Sequence, residues 1–356
     1  MLHYTSQLAN ALSEKNKIAV VLPSFSETHY FNKNTSIIKI QAPADILKTC
    51  IHSLNFFALR RLLLMIRKND PDVIHFVNSH PWNVIICFVF KDVKKVFTLH
   101  DPLPHEERIS TRIIQPILSF CDQYLINQVN TIIVHGKILK NICISRNIPS
   151  RKIEVIPLGD ILFFNKNDVG PCINPSRFMK NILFFGRIEP YKGLDYFLQA
   201  ANRIINTIPN ISITIAGDGN LSPYEHQLPK TSNFTVINRY IFDDEVYSLF
   251  NNTDVVVLPY ISASQSGIIP IAYAFKKPVI ATHVGAIPEV IDDGVTGILI
   301  PPRDVDALVA AITKLLSDDD LRTRMGVNAF NKMRSDLSWQ EIAKRHMEIY
   351  QRDLIY

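Results

Sequence analysis

Cysteine is scarce in this chain, with five residues among 356, at positions 50, 87, 121, 143 and 172. The number is odd, the spacing is wide and no C-x-x-C pair occurs. A disulfide framework and a zinc site are therefore not expected, and a reducing cytoplasm fits. Long apolar runs are also missing. The longest, 84–90, is far short of the roughly 18 residues that a membrane-spanning helix needs, and suits a buried strand or helix. The first residues read as an amphipathic helix rather than a charged end before an apolar core, so no signal peptide is expected. No block of like charge stands out, since 38 Lys and Arg face 33 Asp and Glu for a net charge of +5. Nucleic acid is thus not an expected partner, while the basic lean suits anionic ligands and anionic membrane surfaces. No His or Cys cluster has metal-ligand spacing, so no metal site is expected. No G-x-S-x-G turn occurs, which argues against a serine hydrolase.

What is present is a regular alternation. Short apolar runs lie at 18–22, 73–76, 96–99, 132–134 and 153–156, and again at 182–185, 211–215, 255–258, 279–281 and 297–300. Helix-period segments separate them. Leu194, Phe197, Leu198, Ala201, Ile204 and Ile205, for example, form an i, i+3, i+4, i+7 stripe. Strands alternating with helices imply parallel sheets covered on both faces. Two such series predict an α/β protein of two Rossmann-like, doubly wound domains. We expect an N-terminal domain over 1–165, a linker over 166–180 with Gly170, Pro171 and Pro175 as breakers, a C-terminal domain over 181–337, and a closing helix over 338–356.

The N-terminus departs from this plan. A helix expected over 5–16 leads straight into the run 18–22, with no preceding strand and no glycine turn. In a doubly wound sheet the first strand is central, so its loss would leave a gap in the middle of the sheet; either the chain is truncated, its start is misassigned, or another segment fills the gap.

Four loops at predicted strand ends in the second half carry the chemistry. In the first, Gly186 is followed by Arg187 and Lys192 before a helix. A guanidinium and an ammonium five residues apart can both reach a diphosphate, although singly they read as solvated loop cations. In the second, Ser264, Gln265, Ser266, Gly267 and Ile268 open a helix after 255–258. Their backbone amides can bind an anion or simply cap the helix. The third includes Gly285 and Glu289, a carboxylate for sugar or ribose hydroxyls or an ordinary helix-start acid. The fourth is the turn at Gly217. In the first half, His100 and Asp101 end a predicted strand. Such a pair can contact a hydroxyl or support acid–base work, and reads equally as structural. His75 reads as structural, and His135 is given no role. The segment 57–68, apolar with four cations, reads as a core-facing helix with a basic rim or as a helix lying on an anionic membrane.

Together these segments resemble glycosyltransferase family 4, retaining enzymes of the GT-B fold, over almost the whole chain. His3 to Leu12 resembles the family's first helix, and Gly186-Arg187 with Lys192-Gly193 its diphosphate loop. The His100-Asp101 strand end, Val155 to Gly159, Pro278 to Ala281, Gly285 to Glu289 and Asp293 to Pro302 continue the pattern. The Trp339 helix resembles the one that crosses back to the first domain. The resemblance implies two domains facing a cleft, with a nucleotide-diphosphate sugar as donor substrate and no further cofactor. Arg187 and Lys192 are implied to neutralise the leaving diphosphate without a metal. It also implies His100 near the transferred sugar or acceptor, and Tyr240 and Ile241 beside the base. Transfer is expected to a carbohydrate or lipid-linked acceptor in cell-surface polysaccharide or glycolipid synthesis. The setting expected is cytoplasmic, peripheral on the inner face of the membrane. The family commonly carries two glutamates eight positions apart where this chain has Ala263 and Ile271. The alternative is therefore a catalytically impaired member acting as a nucleotide-sugar-binding or scaffolding subunit.

Overall fold

The computed structural model describes residues 2–43, 52–102, 115–160 and 179–352, with side chains omitted over 115–118. The chain forms two compact units, one of Met1–Pro157 with Trp339–Tyr356 and one of Leu158–Ser338. The linker expected at 166–180 lies almost wholly outside the described residues.

The first unit holds helix α1 (Leu2–Leu12), strands β1 (Ile18–Pro23) and β2 (Thr35–Ile40), helix α2 (Phe56–Asn69), strand β3 (Val73–Phe76) and helix α3 (Pro81–Val89). It continues through β4 (Lys94–Thr98), α4 (Gln115–Gln128), β5 (Thr131–Val134), α5 (Lys137–Ser145) and β6 (Ile153–Val155). Among the described residues no strand joins the two parts of the first unit's sheet. A parallel pair, β1-β2, stands apart from a parallel four-stranded sheet, β3-β4-β5-β6. Removing strand 1 from a doubly wound sheet ordered 3-2-1-4-5-6 leaves a pair and a separate run of strands, and the four-stranded sheet here carries one strand more than that order has. Burial follows the break. All of β4 and β5 is buried, whereas β1 is half-exposed, with Val21 open to solvent. The first helix begins earlier and ends earlier than the sequence suggests. It stops at Leu12 because Asn16 turns its side-chain amide back onto the Leu12 carbonyl, at 2.9 Å.

The second unit has strands β7 (Lys180–Phe185), β8 (Ile211–Ala216), β9 (Phe234–Ile237), β10 (Val255–Leu258), β11 (Val279–Thr282) and β12 (Gly297–Ile300). Its helices are α6 (Leu194–Ile204), α7 (Asp243–Asn251), α8 (Ile268–Ala274), α9 (Ile287–Val290), α10 (Val305–Ser317) and α11 (Asp319–Asp336). All six strands are parallel, in the order β12-β11-β10-β7-β8-β9, the complete doubly wound pattern. Every residue of β10 and β11 is buried, as expected of strands covered on both faces. The α6 stripe faces that core, with Leu194, Phe197, Leu198, Ala201 and Ile204 all fully buried. A last helix, α12 (Trp339–Gln351), returns to the first unit and packs on α1. No helix among the described residues is long and apolar enough to cross a membrane.

Candidate functional site

Strand order in the second unit reverses between β7 and β10. Successive strands build outward from β7 through β8 and β9, then from β10 through β11 and β12. Loops leaving the carboxyl ends of two such strands diverge and leave room for a ligand. Those loops are 186–193 and 259–267, which carry the Gly-Arg…Lys and Ser-Gln-Ser-Gly segments.

Backbone contacts stitch these loops to their neighbours. Ile188 N–H donates to Asp218 O at 2.8 Å, and Ile261 N–H donates to Tyr191 O at 2.8 Å. Ala286 N–H donates to Ser264 O at 3.1 Å. Gly193 has φ +71°, and a Cβ on it would stand 1.9 Å from the Pro259 carbonyl oxygen. No other residue fits there. At Gly217 a Cβ would stand 2.0 Å from the Gly186 carbonyl oxygen. The four loops picked out in the sequence thus form one continuous rim.

Lys192 is anchored within this rim. Its Nζ donates to Tyr260 Oη at 2.8 Å and lies 4.0 Å from the centre of the same ring. Tyr260 Oη is 3.1 Å from Ser266 Oγ, which also accepts from Ile268 N–H at 3.3 Å. An ammonium only donates, so the tyrosine proton is directed to Ser266, and the serine proton is left to point elsewhere. Burial, reinforced by the charge of Arg187, pulls the Lys192 ammonium down to about 8, with Glu189 opposing. Arg187 itself is exposed.

The remaining predicted residues divide. Gln265 is half-buried, and its Oε1 is buried with no hydrogen-bond partner. Glu289 is half-buried in the first turn of α9. Tyr240 is exposed and meets Phe242 edge-on, whereas Ile241 is buried in the core of the unit.

In the first unit, His100 follows β4 and His135 follows β5. Both are buried, and His100 Nδ1 lies 2.9 Å from His135 Nε2. Burial, then His135, hold His100 down to about 3, and burial holds His135 down to about 4. Tyr4 of α1 meets both imidazoles edge-on. Nearby, His75 bonds Tyr350 Oη and Thr98 Oγ1 at 2.7 Å each. It is a pinned structural group, as expected. Asp101 is half-buried.

Residues 3–159 match the Glycosyltransferase Family 4 domain, and residues 179–318 match the Glycosyl transferases group 1 domain. The chain belongs to glycosyltransferase family 4. Among its relatives in the family, an uncharacterized glycosyltransferase of Methanocaldococcus jannaschii is 28% identical over 62% of this chain and 59% of its own length. The glycogen synthase of Mycobacterium tuberculosis is 25% identical over 79% of this chain and 68% of its own. A D-inositol 3-phosphate glycosyltransferase of Corynebacterium diphtheriae is 24% identical over 76% and 65%. The matched region is thus between 59% and 68% of the length of these relatives. Among solved structures, Anabaena HepE in complex with UDP-glucose superposes with a TM-score of 0.74 at 16% identity, covering 98% of this chain and 96% of that one. Sucrose-phosphate synthase of Thermosynechococcus elongatus gives 0.74 at 18%, covering 98% and 92%. These likenesses show the GT-B fold.

Against this family background, Ala263 and Ile271 stand out. Both positions, where the resemblance implies glutamates, are buried in the hydrophobic core. Two residues, one in each unit, are not singled out by the sequence. Tyr260 reads as one more apolar residue beyond β10, and only the fold turns its hydroxyl to Lys192. His135 had a readable signal. The β4–β5 register pairs Thr98 with Ile133, so His100 and His135 both sit two residues past one row.

Proposed function

We propose that this chain transfers a sugar from a nucleoside-diphosphate sugar to a hydroxyl on a carbohydrate or lipid-linked acceptor, with retention at the anomeric carbon. The observation that carries this reading is the rim at the β7/β10 reversal. There Arg187 and the anchored Lys192 stand on one loop, and Ser266 on the other is tied to Lys192 through Tyr260. When the anomeric C–O bond breaks, its electron pair stays on the leaving diphosphate. Fixed cations stabilise that charge in a way that mobile water cannot. Arg187 and Lys192 supply this neutralisation in the proposed reaction, which needs no metal ion and no cofactor beyond the donor. The serine proton is a further donor to a phosphoryl oxygen. Gln265 Oε1, a buried acceptor without a partner, takes a sugar or ribose hydroxyl in place of the missing glutamates. Glu289 serves the same end. Tyr240 offers an exposed ring for stacking on the base. His100 and Asp101 of the first unit serve the acceptor or the transferred sugar.

The setting we propose is the cytoplasmic face of a membrane in polysaccharide or glycolipid synthesis. The open face of α2 presents Phe56, Phe57 and Leu64 among Arg60, Arg61, Arg67 and Lys68, all exposed. Aromatic side chains ringed by cations suit an anionic lipid surface.

A second reading, a nucleotide-sugar-binding subunit without turnover, is favoured by the apolar burial of Ala263 and Ile271. One experiment separates the two. The protein is given a panel of nucleotide sugars with acceptor extract, and free nucleotide is measured. Release supports transfer, and saturable binding with no release supports the subunit.

A further inference from the structure

Two large rings stand open on the loop that follows β9. Tyr240 is 64% exposed and Phe242 60%, and they meet nearly perpendicular with ring centres 5.3 Å apart. Adjacent exposed aromatics mark a contact surface rather than a core. The backbone beneath them is fixed. Ile241, between the two, is buried in the core of the unit. Upstream, Asn238 Oδ1 accepts from Gly219 N–H at 3.2 Å. Arg239 then reaches across the loop to the first turn of α7. Its Nη1 and Nη2 donate to Glu245 Oε2 and Oε1 at 2.8 and 2.6 Å, and Nη1 also donates to Tyr240 O at 3.0 Å. Glu245 Oε2 accepts in turn from Phe242 N–H at 3.1 Å. One guanidinium fork and one carboxylate thus tie down the backbone of both ring-bearing residues. The Arg239 bond, then the Phe242 N–H, holds the Glu245 carboxyl down to about 2, so the tie persists through the neutral range.

The place of this loop gives the rings a ligand. β8 stands between β7 and β9, so the rings leave the sheet two strand spacings, about 9.5 Å, from the strand that bears the Arg187–Lys192 loop. A ribose bridges such a distance between a diphosphate and its base. The β8 loop in between presents Gly217 and Gly219, which carry no side chain to obstruct that bridge. We propose that Arg239 and Glu245 are positioning residues, an ionic clasp that holds Tyr240 and Phe242 as an aromatic platform for the base of the donor nucleotide. The clasp depends on geometry alone, and its ligand rests on the nucleotide-sugar reading. An exposed ion pair adds little to global stability, so its loss is expected to loosen the platform and leave the fold intact.

The test is equilibrium titration of the full chain with UDP, ADP and GDP, and with inorganic pyrophosphate as a probe that lacks the base. The native chain is expected to bind at least one of the three nucleotides more tightly than pyrophosphate. Tyr240→Ala is expected to weaken that nucleotide about tenfold, the worth of one stacked base. Arg239→Ala and Glu245→Ala are each expected to weaken it about fivefold, the upper end for an exposed ion pair, with pyrophosphate unchanged. The double variant is expected to be no weaker than either single one, as for two halves of one device, and Arg239→Lys to recover part of the loss. Nucleotide affinity unchanged in Arg239→Ala and Glu245→Ala overturns the clasp. Equal weakening of nucleotide and pyrophosphate also overturns it, because the two residues then act through the whole site. Native binding of pyrophosphate as tight as that of every nucleotide overturns the platform and leaves the diphosphate site standing. Binding of neither sinks the nucleotide-sugar reading and the platform with it.

Discussion

Lys192 gives a hydrogen bond to the Tyr260 hydroxyl at 2.8 Å while its ammonium lies over the same ring, 4.0 Å from its centre. One tyrosine thus holds a cation by its edge group and by its π-face. Burial pulls the Lys192 pKa down to about 8, so the site is charged in neutral solution and discharges just above it. A bound diphosphate favours the ammonium and restores the higher pKa. Nucleoside diphosphate binding is therefore expected to take up about half a proton at pH 8, less below, and to weaken as pH rises further. Calorimetry in two buffers of different ionisation enthalpy measures the uptake. No uptake at pH 8 would contradict the placement of Lys192 at the phosphate.

Tyr260→Phe retains the ring and removes only the hydroxyl. The ring is fully buried among apolar neighbours, so the fold is expected to survive. Nucleotide affinity is expected to drop roughly tenfold, the usual worth of one hydrogen bond to a charged group, as read by titration. Affinity equal to that of the native protein would remove Tyr260 from the site.

Gly193 joins the two loops, since its Cα approaches the Pro259 carbonyl and its φ is positive. Gly193→Ala is expected to destabilise the second unit by about 2 kcal/mol or more, as substitutions at positive φ with a clash do. Far-UV circular dichroism during denaturation is the check, because Trp82 and Trp339, the two tryptophans of the chain, both lie in the first unit.

Acid should attack the first unit before the second. Burial keeps His75 well below its ordinary value, His100 at about 3, and His135 and His346 at about 4. All four belong to the first unit. Below the unfolded histidine value near 6.5 the unfolded chain binds protons that the folded one refuses. Stability then falls by about 1.4 kcal/mol per pH unit for each group, down to the folded values. Tryptophan fluorescence is expected to report unfolding between pH 6 and pH 4, ahead of the circular dichroism of the second unit. Simultaneous loss of both signals would contradict this.

The α2 surface makes a separate prediction. Phe57 is 83% exposed, and Phe57→Asp should leave folding intact while abolishing sedimentation with anionic vesicles. Native sedimentation should vanish in high salt. Failure of the native protein to sediment at low salt would remove the membrane from the account.

Much of this is legible in the sequence. The strands of the second sheet other than β9 and the α6 stripe could be read because buried parallel strands are continuous apolar runs and a core-facing helix repeats every 3.6 residues. The gap in the first sheet followed from the order of elements. The strands that escaped, β2 and β9, are half-exposed edge strands in which polar residues interrupt the run. The four loops could be named as ligand-binding because they end strands. Their mutual stitching could not, because it depends on backbone approaches such as Gly193 to Pro259. Of the loop expected beside the base, Tyr240 is exposed and Ile241 is buried in the core, a division that a single apolar residue in a loop does not announce.

The most direct test of the account is nucleotide release from the preferred nucleotide sugar by the native chain, Arg187→Ala and Lys192→Ala, with folding verified for each. Each loss of a cation is expected to lower kcat/KM by about a hundredfold, the cost of removing one fixed charge from a developing anion. Release that is equal in all three proteins would contradict it.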